Sequence, residues 1–470
     1  MYSKTLTFVV SLSLVCCVSS QAQGTATVNL AKQIGKAQAL GSGFIYGWPD
    51  NGTAVDNSIP DYLVTDIKFN ANRGGGAQIP AVGWATGGYE GYLGRFKSTL
   101  SNYLTTRKYD ADFILLPHDL WGADGGQDSE SPFPGDNGNF TEMEMFWNQV
   151  ISDLKTHDML EALVIDVWNE PDIDIFWARS WPQFLDYYNR ATKLIRQVII
   201  RYVLLFTPLA RQCQTFYVKN GPAMADSPNL TNDKWQTWLE SVAGNETIPD
   251  RFSWHQIGTW SREPDTTVPD FTTLRARYGV PEKPIDANEY AALEEQNPAN
   301  SVYYLAQLER HNIRGLRANW ASGSELHNWM GNLVYSTTGT SDGTYYPNGE
   351  WQVYKYYASM TGERVLTEAA ADLKFDIFAT KDAETVKILA GTRTIQAPYN
   401  ITIDGLSAVG LPSDGEIKVR TYRFDWAGPK GKVGGPVDVG EQVYPYSSDM
   451  LAISVDPPTN STAFAYELSI

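Results

Sequence analysis

Between about residue 40 and residue 360, short apolar runs alternate with segments that repeat hydrophobic residues at helical spacing. Most of the runs are continuously apolar rather than alternating, which is typical of strands buried on both faces. They predict eight strands, at residues 43–46, 68–71, 112–116, 162–168, 202–207, 252–257, 284–290 and 315–320. Eight strands that alternate with helices predict a (β/α)8 barrel, the fold class we expect for residues 23–361.

Five of the intervening segments carry an apolar face and predict helices. Thr141 and Glu144 form a capping-box pattern at the start of one of them, and Pro182 stands where the first turn of another tolerates proline. The five segments lie around residues 93–104, 141–154, 182–198, 235–244 and 302–308.

After residue 361 the rhythm changes to short strand-like runs separated by Gly, Pro, Asn and Asp, without a helical pattern among them. The runs lie at residues 373–378, 385–390, 417–424 and 450–455. They predict a β-sandwich over residues 362–470, and residues 26–30 are a candidate for its first strand.

The first residues have the pattern of a secretory signal peptide. Lys4 precedes an apolar run at residues 6–18, and the small residues Ser20 and Ala22 follow it. The run is shorter than the roughly 20 residues that span a bilayer. We expect residues 1–22 to be cleaved off after Ala22, with Ser20 as the alternative, and the protein to be secreted.

Six Asn-x-Ser/Thr sequons fit a secreted glycoprotein. They begin at Asn51, Asn139, Asn229, Asn245, Asn400 and Asn460. Of the three cysteines, Cys16 and Cys17 lie in the predicted signal peptide. Cys213 would therefore be left without a partner for an internal disulfide bond.

The composition narrows the class of protein. Charged residues make up 19% and aromatic residues 13% of the 470 residues, which excludes a disordered chain. The formal net charge is -17, and an acidic surface suits neither the phosphate backbone of a nucleic acid nor an anionic membrane. We therefore expect no nucleic-acid partner and no membrane partner.

An acidic residue follows the fourth predicted strand. The strand stops at Asn169-Glu170-Pro171, where Pro171 has no N–H to continue a sheet. Active-site residues of a barrel lie at the carboxyl ends of its strands, so Glu170 is a catalytic candidate. The alternative for Glu170 is a helix cap in an ordinary strand-to-helix turn.

A second carboxylate, Glu289, ends the seventh predicted strand. Ile285, Ala287 and Glu289 alternate along this strand, so we expect all three to face the same way. Two carboxylates across a barrel mouth suit cleavage of a glycosidic bond, in which one donates a proton to the leaving oxygen and the other is ionised. A retaining mechanism needs them about 5–5.5 Å apart and an inverting one about 6.5–9.5 Å, a choice that the sequence leaves open.

Trp168-Asn169-Glu170-Pro171, followed by Glu289 at the end of a later strand, is similar to the motifs of glycoside hydrolase clan A. The resemblance implies a retaining (β/α)8 hydrolase in which Glu170 is the acid/base and Glu289 is the nucleophile. It also implies that Asn169 hydrogen-bonds the 2-hydroxyl of the sugar.

Arg73, at the end of the second strand, matches the arginine that members of this clan place near the nucleophile, where it would keep Glu289 ionised. A barrel followed by a β-sandwich most resembles family thirty-nine, the β-xylosidase and α-L-iduronidase family. This resemblance implies an oligosaccharide or polysaccharide substrate, with β-xylosides first and arabinosides, other β-glycosides and uronides as alternatives. Exo or endo action and the oligomeric state are left open.

The chain departs from the clan on the sixth strand. Many members carry a Tyr there that hydrogen-bonds the nucleophile, downstream of a His. Here His255 matches the His, but no Tyr stands in residues 254–258. Trp260 and Tyr290 are the candidates for its place.

Further residues at strand ends are candidate substrate contacts. Trp320, at the end of the eighth strand, matches a substrate-stacking aromatic of the clan, and His118 fits a sugar hydroxyl as well as a structural hydrogen bond. The glycines at residues 74–76 allow either close approach of a ligand or a tight turn. Asp166 shares the parity of Glu170 and would need a hydrogen-bond partner inside the barrel.

Other chemistries find less support. The five His form no ligand cluster, and no phosphate-binding or dinucleotide-binding motif occurs, so we expect no metal and no cofactor. Residues 339–343 match the serine-hydrolase elbow around Ser341, but no helical pattern follows them. The rival hypotheses are a secreted serine esterase that uses Ser341 and a barrel that binds carbohydrate without turnover.

Overall fold

The computed structural model describes residues 22–125, 127–206, 218–258, 262–337 and 344–470. They form a parallel barrel and a large sheet domain with its own apolar core, so the predicted fold class of a barrel with a β-sandwich is confirmed. No helix in these ranges is long and apolar enough to cross a membrane. Cys16, Cys17, Cys213 and the predicted signal peptide up to residue 21 lie outside the described residues.

The strands of the barrel run parallel and close into a ring. The chain first passes through β1 (Thr25–Lys36), which belongs to the sandwich. The barrel strands are β2 (Gly43–Ile45), β3 (Ala71–Gly74), β4 (Asp112–Leu115), β5 (Leu163–Asp166), β6 (Val218–Asn220), β7 (Pro222–Met224), β8 (Phe252–Gln256), β9 (Ile285–Tyr290) and β10 (Arg314–Arg317). β10 pairs with β2, while β6 and β7 are two pieces of one strand on either side of Gly221, the first paired with β5 and the second with β8.

The helices of the described residues surround this ring. They are α1 (Asp61–Thr65), α2 (Trp84–Arg107), α3 (Pro117–Trp121), α4 (Thr141–Thr156), α5 (Trp181–Phe206), α6 (Asp233–Gly244), α7 (Pro264–Arg277), α8 (Pro298–Arg310) and α9 (Gly349–Ser359). The sequence did not predict the short helices α1 and α3, nor the longer helices α7 and α9. α7 contains Pro269 and four threonines, which are weak helix formers. α9 is buried on most of its surface and so lacks the polar face that marks an amphipathic helix.

The prediction of a fifth strand at residues 202–207 is wrong. Residues 202–206 continue α5, and the fifth barrel strand is instead formed by β6 and β7. A short apolar run fits a buried helix as well as a buried strand, and this run extends a helix whose residues Leu194 and Val198 already pack on the core.

Two smaller predictions are also wrong. The second strand, β3, begins at Ala71 rather than at residue 68, because Lys68 has a positive φ of 51° that does not suit a strand. The capping box is not formed, since α4 begins at Thr141 itself and no side chain caps its first turn. Instead, the Thr141 N–H donates to Oδ1 of Asn139 at 3.0 Å.

The barrel interior is packed in layers. Near the amino ends of the strands, the buried carboxylate of Asp286 accepts hydrogen bonds from Arg251 at 3.0 Å and from Arg314 at 3.1 Å. Burial raises the pKa of Asp286, but the charges of the two arginines lower it more, so the net pKa lies below the usual value. The apolar layer of the interior consists of Ile45, Ala71, Ile114, Val164 and Leu316.

The sandwich follows the barrel and takes in the first strand of the chain. A small hairpin of β11 (Val334–Tyr335) and β12 (Tyr346–Pro347) precedes α9. The sandwich strands are β13 (Glu363–Glu368), β14 (Phe375–Lys381), β15 (Thr385–Thr392), β16 (Tyr399–Asp404), β17 (Gly415–Phe424), β18 (Val437–Tyr446), β19 (Met450–Val455) and β20 (Ala463–Ser469). Together with β1 they lie in the order β18-β17-β20-β15-β14-β13-β1-β16-β19, so residues 26–30 lie within the sandwich. The β1–β16 pair is parallel, and the other pairs are antiparallel.

α8 and α9 pack between the barrel and the sandwich and join the two domains. Gly391 on β15 lies so close to α8 that an added Cβ would stand 2.2 Å from the carbonyl oxygen of Ala299. Beside this contact, the buried guanidinium of Arg393 pairs with two buried barrel carboxylates, Glu263 and Glu295, each at 2.5 Å. The sandwich is therefore held against the barrel by close packing and by buried ion pairs.

We expect Gly391→Ala to lower the free energy of unfolding by about 1–3 kcal/mol, because the new methyl group must push α8 away from β15. Gly434→Ala is the matched control, since an added Cβ at Gly434 meets no atom within 4 Å. Urea unfolding of both variants measures the effect. Equal stability of the two variants would show that the contact between α8 and β15 is not tight.

Candidate active site

Glu170 lies at the carboxyl end of the barrel, four residues beyond the end of β5. Its backbone has a positive φ of 43°, which is strained for a residue other than glycine, and its N–H donates to the Ala223 carbonyl at 2.8 Å. Strained backbone of this kind is concentrated at functional sites. The turn aims the Glu170 side chain across the barrel mouth toward β8.

Glu289 reaches the same mouth, but not for the reason predicted from the alternation of β9. A β-bulge interrupts the pairing of β9 with β8 between Ala287 and Glu289. Ala287 faces outward into a cluster with Tyr303 and Leu308, while Asn288 points inward and donates to Asp166 at 2.7 Å. The bulge switches the parity of the strand, so the expectation that Glu289 shares a face with Ala287 is wrong.

Arg73 connects the parts of the mouth. Its buried guanidinium donates from Nε to Asp166, from Nη1 to Glu289 and from Nη2 to Asn169, each at 2.7 Å. Burial lowers the pKa of Arg73, but the charges of Asp166 and Glu289 raise it more, so the guanidinium stays charged. Asp166 faces the barrel interior and also accepts from Ser253 at 3.3 Å.

His255 lies between the two catalytic candidates. A hydrogen bond of 2.8 Å joins its Nδ1 to Oε1 of Glu170, and its Nε2 is 3.6 Å from Oε1 of Glu289. Burial lowers the pKa of His255 to about 4, although the charge of Glu289 opposes this shift. The imidazole is therefore neutral at physiological pH, and both carboxylates lie next to it.

The two carboxylates differ in electrostatic environment. Burial raises the pKa of Glu170 to about 7, against the opposing charge of Arg73. Glu289 instead accepts a charge-assisted hydrogen bond directly from Arg73. Burial therefore dominates at one carboxylate, whereas the other is paired directly with a cation.

A cavity of about 320 Å³ opens in front of this pair. Among the predicted site residues, Glu170, Glu289, Asn169, His118 and Trp320 line it. Arg73 and His255 do not line it, since both are fully buried behind the carboxylates. Trp320 is 44% exposed, and its indole N–H donates to the Ala291 carbonyl at 3.0 Å, which fixes the orientation of the ring at the rim.

His118 begins a chain of buried polar groups that the sequence did not predict. Its Nε2 lies 3.0 Å from Oδ1 of Asp119, and the hydroxyl of Tyr46 donates to the other oxygen of Asp119. Burial raises the pKa of Asp119, but the charge and hydrogen bond of His118 and the bond from Tyr46 lower it more. Within the described residues nothing bonds Nδ1 of His118, which leaves that nitrogen to a ligand in the cavity.

Sequence reasoning missed part of the cavity wall. Tyr46 is the last residue of the first predicted strand, and Asp119 follows the candidate His118. These positions are the signal in the sequence that could have identified both residues. Asn319 precedes Trp320 in the eighth predicted strand, whereas the other missed polar and aromatic wall residues come from loops whose return to the mouth has no local pattern, namely Gln78, Asp124 and Phe176.

Among the described residues, no tyrosine hydroxyl bonds Glu289, the contact expected of the strand-six Tyr. Tyr290 points away from the mouth, and its hydroxyl donates to the Gly41 carbonyl at 2.9 Å. Trp260 and residues 339–343 around Ser341 lie outside the described residues. Gly75 is a packing position, since an added Cβ would stand 2.2 Å from the Leu116 carbonyl oxygen.

We expect Arg73→Met to lower the free energy of unfolding by about 3–5 kcal/mol, because it leaves the buried carboxylate of Asp166 without its cation. Arg275→Met is the matched control, since its partner Glu282 has a side chain that is 83% exposed and the pair should be worth less than about 1 kcal/mol. Denaturant titration of both variants measures the difference. Similar losses would mean that Arg73 is not the anchor of the mouth.

No known family profile matches the chain, but two curated proteins are similar to it in sequence. The 3-O-alpha-D-galactosyl-alpha-L-arabinofuranosidase of Bifidobacterium longum subsp. longum is 20% identical over 350 residues, which are 70% of this chain and 26% of that protein. The 3-O-beta-L-arabinopyranosyl-alpha-L-arabinofuranosidase of Bifidobacterium pseudocatenulatum is 22% identical over 379 residues, which are 74% of this chain and 36% of that protein. The chain thus spans about a quarter to a third of the length of these relatives.

Solved structures share the fold over nearly the whole chain. N2152 from Neocallimastix frontalis has a TM-score of 0.69 at 19% identity and covers 95% of this chain and 99% of its own. The GH39 enzyme from Xanthomonas axonopodis pv. citri has a TM-score of 0.56 at 14% identity and covers 97% and 100%. A GH30 endoxylanase from Clostridium papyrosolvens C71 has a TM-score of 0.54 at 14% identity and covers 95% and 100%. The second and third of these neighbours are enzymes of glycoside hydrolase families 39 and 30, so the fold is shared with more than one family, and family thirty-nine in particular stays a prediction.

Proposed function

We propose that this protein is a retaining glycoside hydrolase that uses Glu170 as the acid/base and Glu289 as the nucleophile. The observation that carries the proposal is the shared imidazole of His255, which contacts both carboxylates at the floor of one cavity, while burial raises the pKa of Glu170 and Arg73 pairs with Glu289. The enzyme names of the relatives and the fold of the neighbours support the same class of reaction.

In the proposed first step, the Glu289 carboxylate attacks the anomeric carbon while Glu170 donates its proton to the leaving oxygen. The glycosidic C–O bond breaks, and a glycosyl ester forms on Glu289. In the second step Glu170, now ionised, takes a proton from water, which attacks the anomeric carbon and releases Glu289. The raised pKa of Glu170 suits a group that must give and then accept one proton.

The neighbouring residues support these roles. Arg73 pairs with Glu289 and holds Oδ1 of Asn169, which leaves the Asn169 amide N–H groups to donate to the sugar 2-hydroxyl. His255, neutral because its pKa is about 4, adds no charge that would stabilise the ionised form of Glu170. These contacts hold the reacting groups in place before substrate binds.

The proposed glycone is a neutral sugar. Glu170, Glu289, Asp119 and Asp124 line the cavity, and none of the described lining residues is Lys or Arg. An acidic wall without a facing cation disfavours the carboxylate of a uronide. Because both curated relatives are named for α-L-arabinofuranosides, we propose such pentosides as the first substrates to test, with β-xylosides as the alternative.

Secretion through a cleaved signal peptide belongs to the same proposal. The pattern of residues 1–22 and the six sequons support it. A polysaccharide or an oligosaccharide derived from it is the expected partner in that setting. A barrel that binds carbohydrate without turnover is the rival, and the variants below distinguish it from the hydrolase.

We expect Glu170→Gln to lower kcat/KM on oligosaccharides by about 10²–10⁴-fold, because their poor leaving groups need the proton. On an activated aryl pentoside the first step should survive, and the glycosyl ester on Glu289 should accumulate because no base activates water. A burst of phenol and a glycosyl adduct in the intact-protein mass spectrum measure this.

Glu289→Gln should remove turnover of both substrates and form no adduct, while Glu90→Gln, at an exposed position on α2, should behave like wild type. Absence of the adduct in an active Glu170→Gln variant would sink the retaining mechanism. Binding of oligosaccharide without turnover by wild type would favour the rival.

The pH dependence of kcat/KM on an oligosaccharide should fall above about pH 7. Burial raises the pKa of Glu170, so the acid form persists up to that pH and is lost tenfold per unit beyond it. A pH–rate profile of wild type checks this limb, and Glu170→Gln should lack it. A wild-type profile that stays flat to pH 9 would count against Glu170 as the acid.

A further inference from the structure

A second cavity, of about 240 Å³, lies beside the barrel mouth between the first turns of α2 and α4. We call it the Trp84 cavity. Its apolar lining includes Trp84, Trp121, Phe133 and Met143, and Asn139 stands at its rim. Apolar and aromatic walls with a few polar groups at the edge are typical of ligand sites, and aromatic rings suit the C–H faces of sugars.

The aromatic rings of this cavity are held in place by the protein. The indole N–H of Trp84 donates to Glu142 at 3.2 Å, and that of Trp121 donates to the Pro132 carbonyl at 2.9 Å. With its N–H group bonded, the partly exposed ring of Trp84 offers apolar surface to an occupant, while Trp121, at 3% exposure, is a buried part of the lining. Arg179 donates two hydrogen bonds to the rim carboxylate of Asp136, at 2.7 and 2.9 Å, and the Glu142 carboxylate accepts the Trp84 N–H. Both acidic groups of the lining are thus already bonded, which suits a neutral ligand.

Asn139 is a candidate attachment site for a neutral sugar at the rim of the Trp84 cavity. It begins the sequon Asn139-Phe140-Thr141, and its side chain is exposed. Its Oδ1 accepts from the Thr141 N–H at 3.0 Å, whereas its Nδ2, the atom that carries an N-linked sugar, makes no hydrogen bond to another described residue. By contrast, Nδ2 of Asn51 donates to the Val55 carbonyl and Nδ2 of Asn245 donates to the Ser241 carbonyl.

We propose that Asn139 carries an N-linked glycan whose first N-acetylglucosamine ring packs into the Trp84 cavity. The glycan comes from a lipid-diphosphate-linked oligosaccharide of the secretory pathway. The bond from its C1 to the diphosphate oxygen breaks, a bond from C1 to Nδ2 forms, Nδ2 loses a proton and the lipid diphosphate leaves.

The ring would also support the active-site wall. The short helix α3 carries His118 and Asp119 toward the substrate cavity and Trp121 toward the Trp84 cavity. Residue 83, which precedes α2, packs against residue 122 so closely that a Cβ on Gly83 would stand 2.5 Å from the Gly122 Cα. A sugar ring against Trp84, the residue after Gly83, would therefore stabilise one wall that both cavities share.

The test uses the full chain secreted from a yeast host. Peptide mass spectrometry measures the occupancy of Asn139, and an unoccupied Asn139 in the secreted protein overturns the proposal. The folded protein is then treated either with an endoglycosidase that leaves the first N-acetylglucosamine or with an amidase that removes the whole glycan. We expect the Tm to stay unchanged after the first treatment and to fall by about 2–4 °C after the second.

Two comparisons assign the effect to the cavity. Asn139→Gln should reproduce the fall in Tm, while Asn460→Gln, at an exposed turn residue, should not. In Trp84→Leu the amidase should no longer change the Tm, because the partner of the ring is gone. An equal fall in wild type and Trp84→Leu would show that the glycan stays outside the cavity.

A measurement on wild type alone guards against a poorly folded Trp84→Leu variant. Hydroxyl-radical footprinting should show Trp84 oxidised at least threefold more slowly when the first N-acetylglucosamine is present. An unchanged rate would overturn the proposal. None of these readouts depends on turnover, so their outcome is independent of the proposed glycosidase activity.

Discussion

The buried guanidinium of Arg73 is the constraint on which the barrel mouth depends. A cation removed from water must be surrounded by acceptors, because burial of an unpaired charge costs several kcal/mol. Asp166, Asn169 and Glu289 accept its N–H groups, and they come from two parts of the barrel that are distant in sequence. These strand ends cannot move apart without leaving the charge unpaired, so one side chain sets the spacing of the groups at the cavity floor.

Glu170 and Glu289 are the same type of residue but have different electrostatic environments near Arg73. Glu289 accepts a hydrogen bond from the Arg73 cation. Glu170 is hydrogen-bonded to the neutral ring of His255, and burial raises the pKa of Glu170 to about 7. The imidazole remains neutral because the same burial lowers its own pKa to about 4. Two local distortions make the arrangement possible, the positive φ of Glu170 and the β-bulge of β9. Both are stabilised by the packed barrel around them.

The sandwich is part of the same structural unit. β1, near the start of the described chain, is a strand of the sandwich, and the sandwich covers α8 and α9. Buried pairs such as Arg393 with Glu263 and Glu295 join the two domains. α8 follows β9, the strand that carries Glu289, and α9 follows the eighth-strand loop behind Trp320. The sandwich therefore supports the half of the mouth that holds the proposed nucleophile.

The amino-acid sequence by itself determined the barrel, the sandwich and the two carboxylates at strand ends, because continuous apolar runs, helical periodicity and Asn169-Glu170-Pro171 are local patterns. It placed seven of the eight barrel strands close to their observed positions and missed the fifth, because an apolar run next to a helix reads equally well as more helix. Only the tertiary structure decided that Glu289 faces the mouth, since a bulge reverses the parity of β9. It alone also brought Tyr46 and Asp119 to the site, because hydrogen bonds between distant segments leave no periodic trace in a sequence.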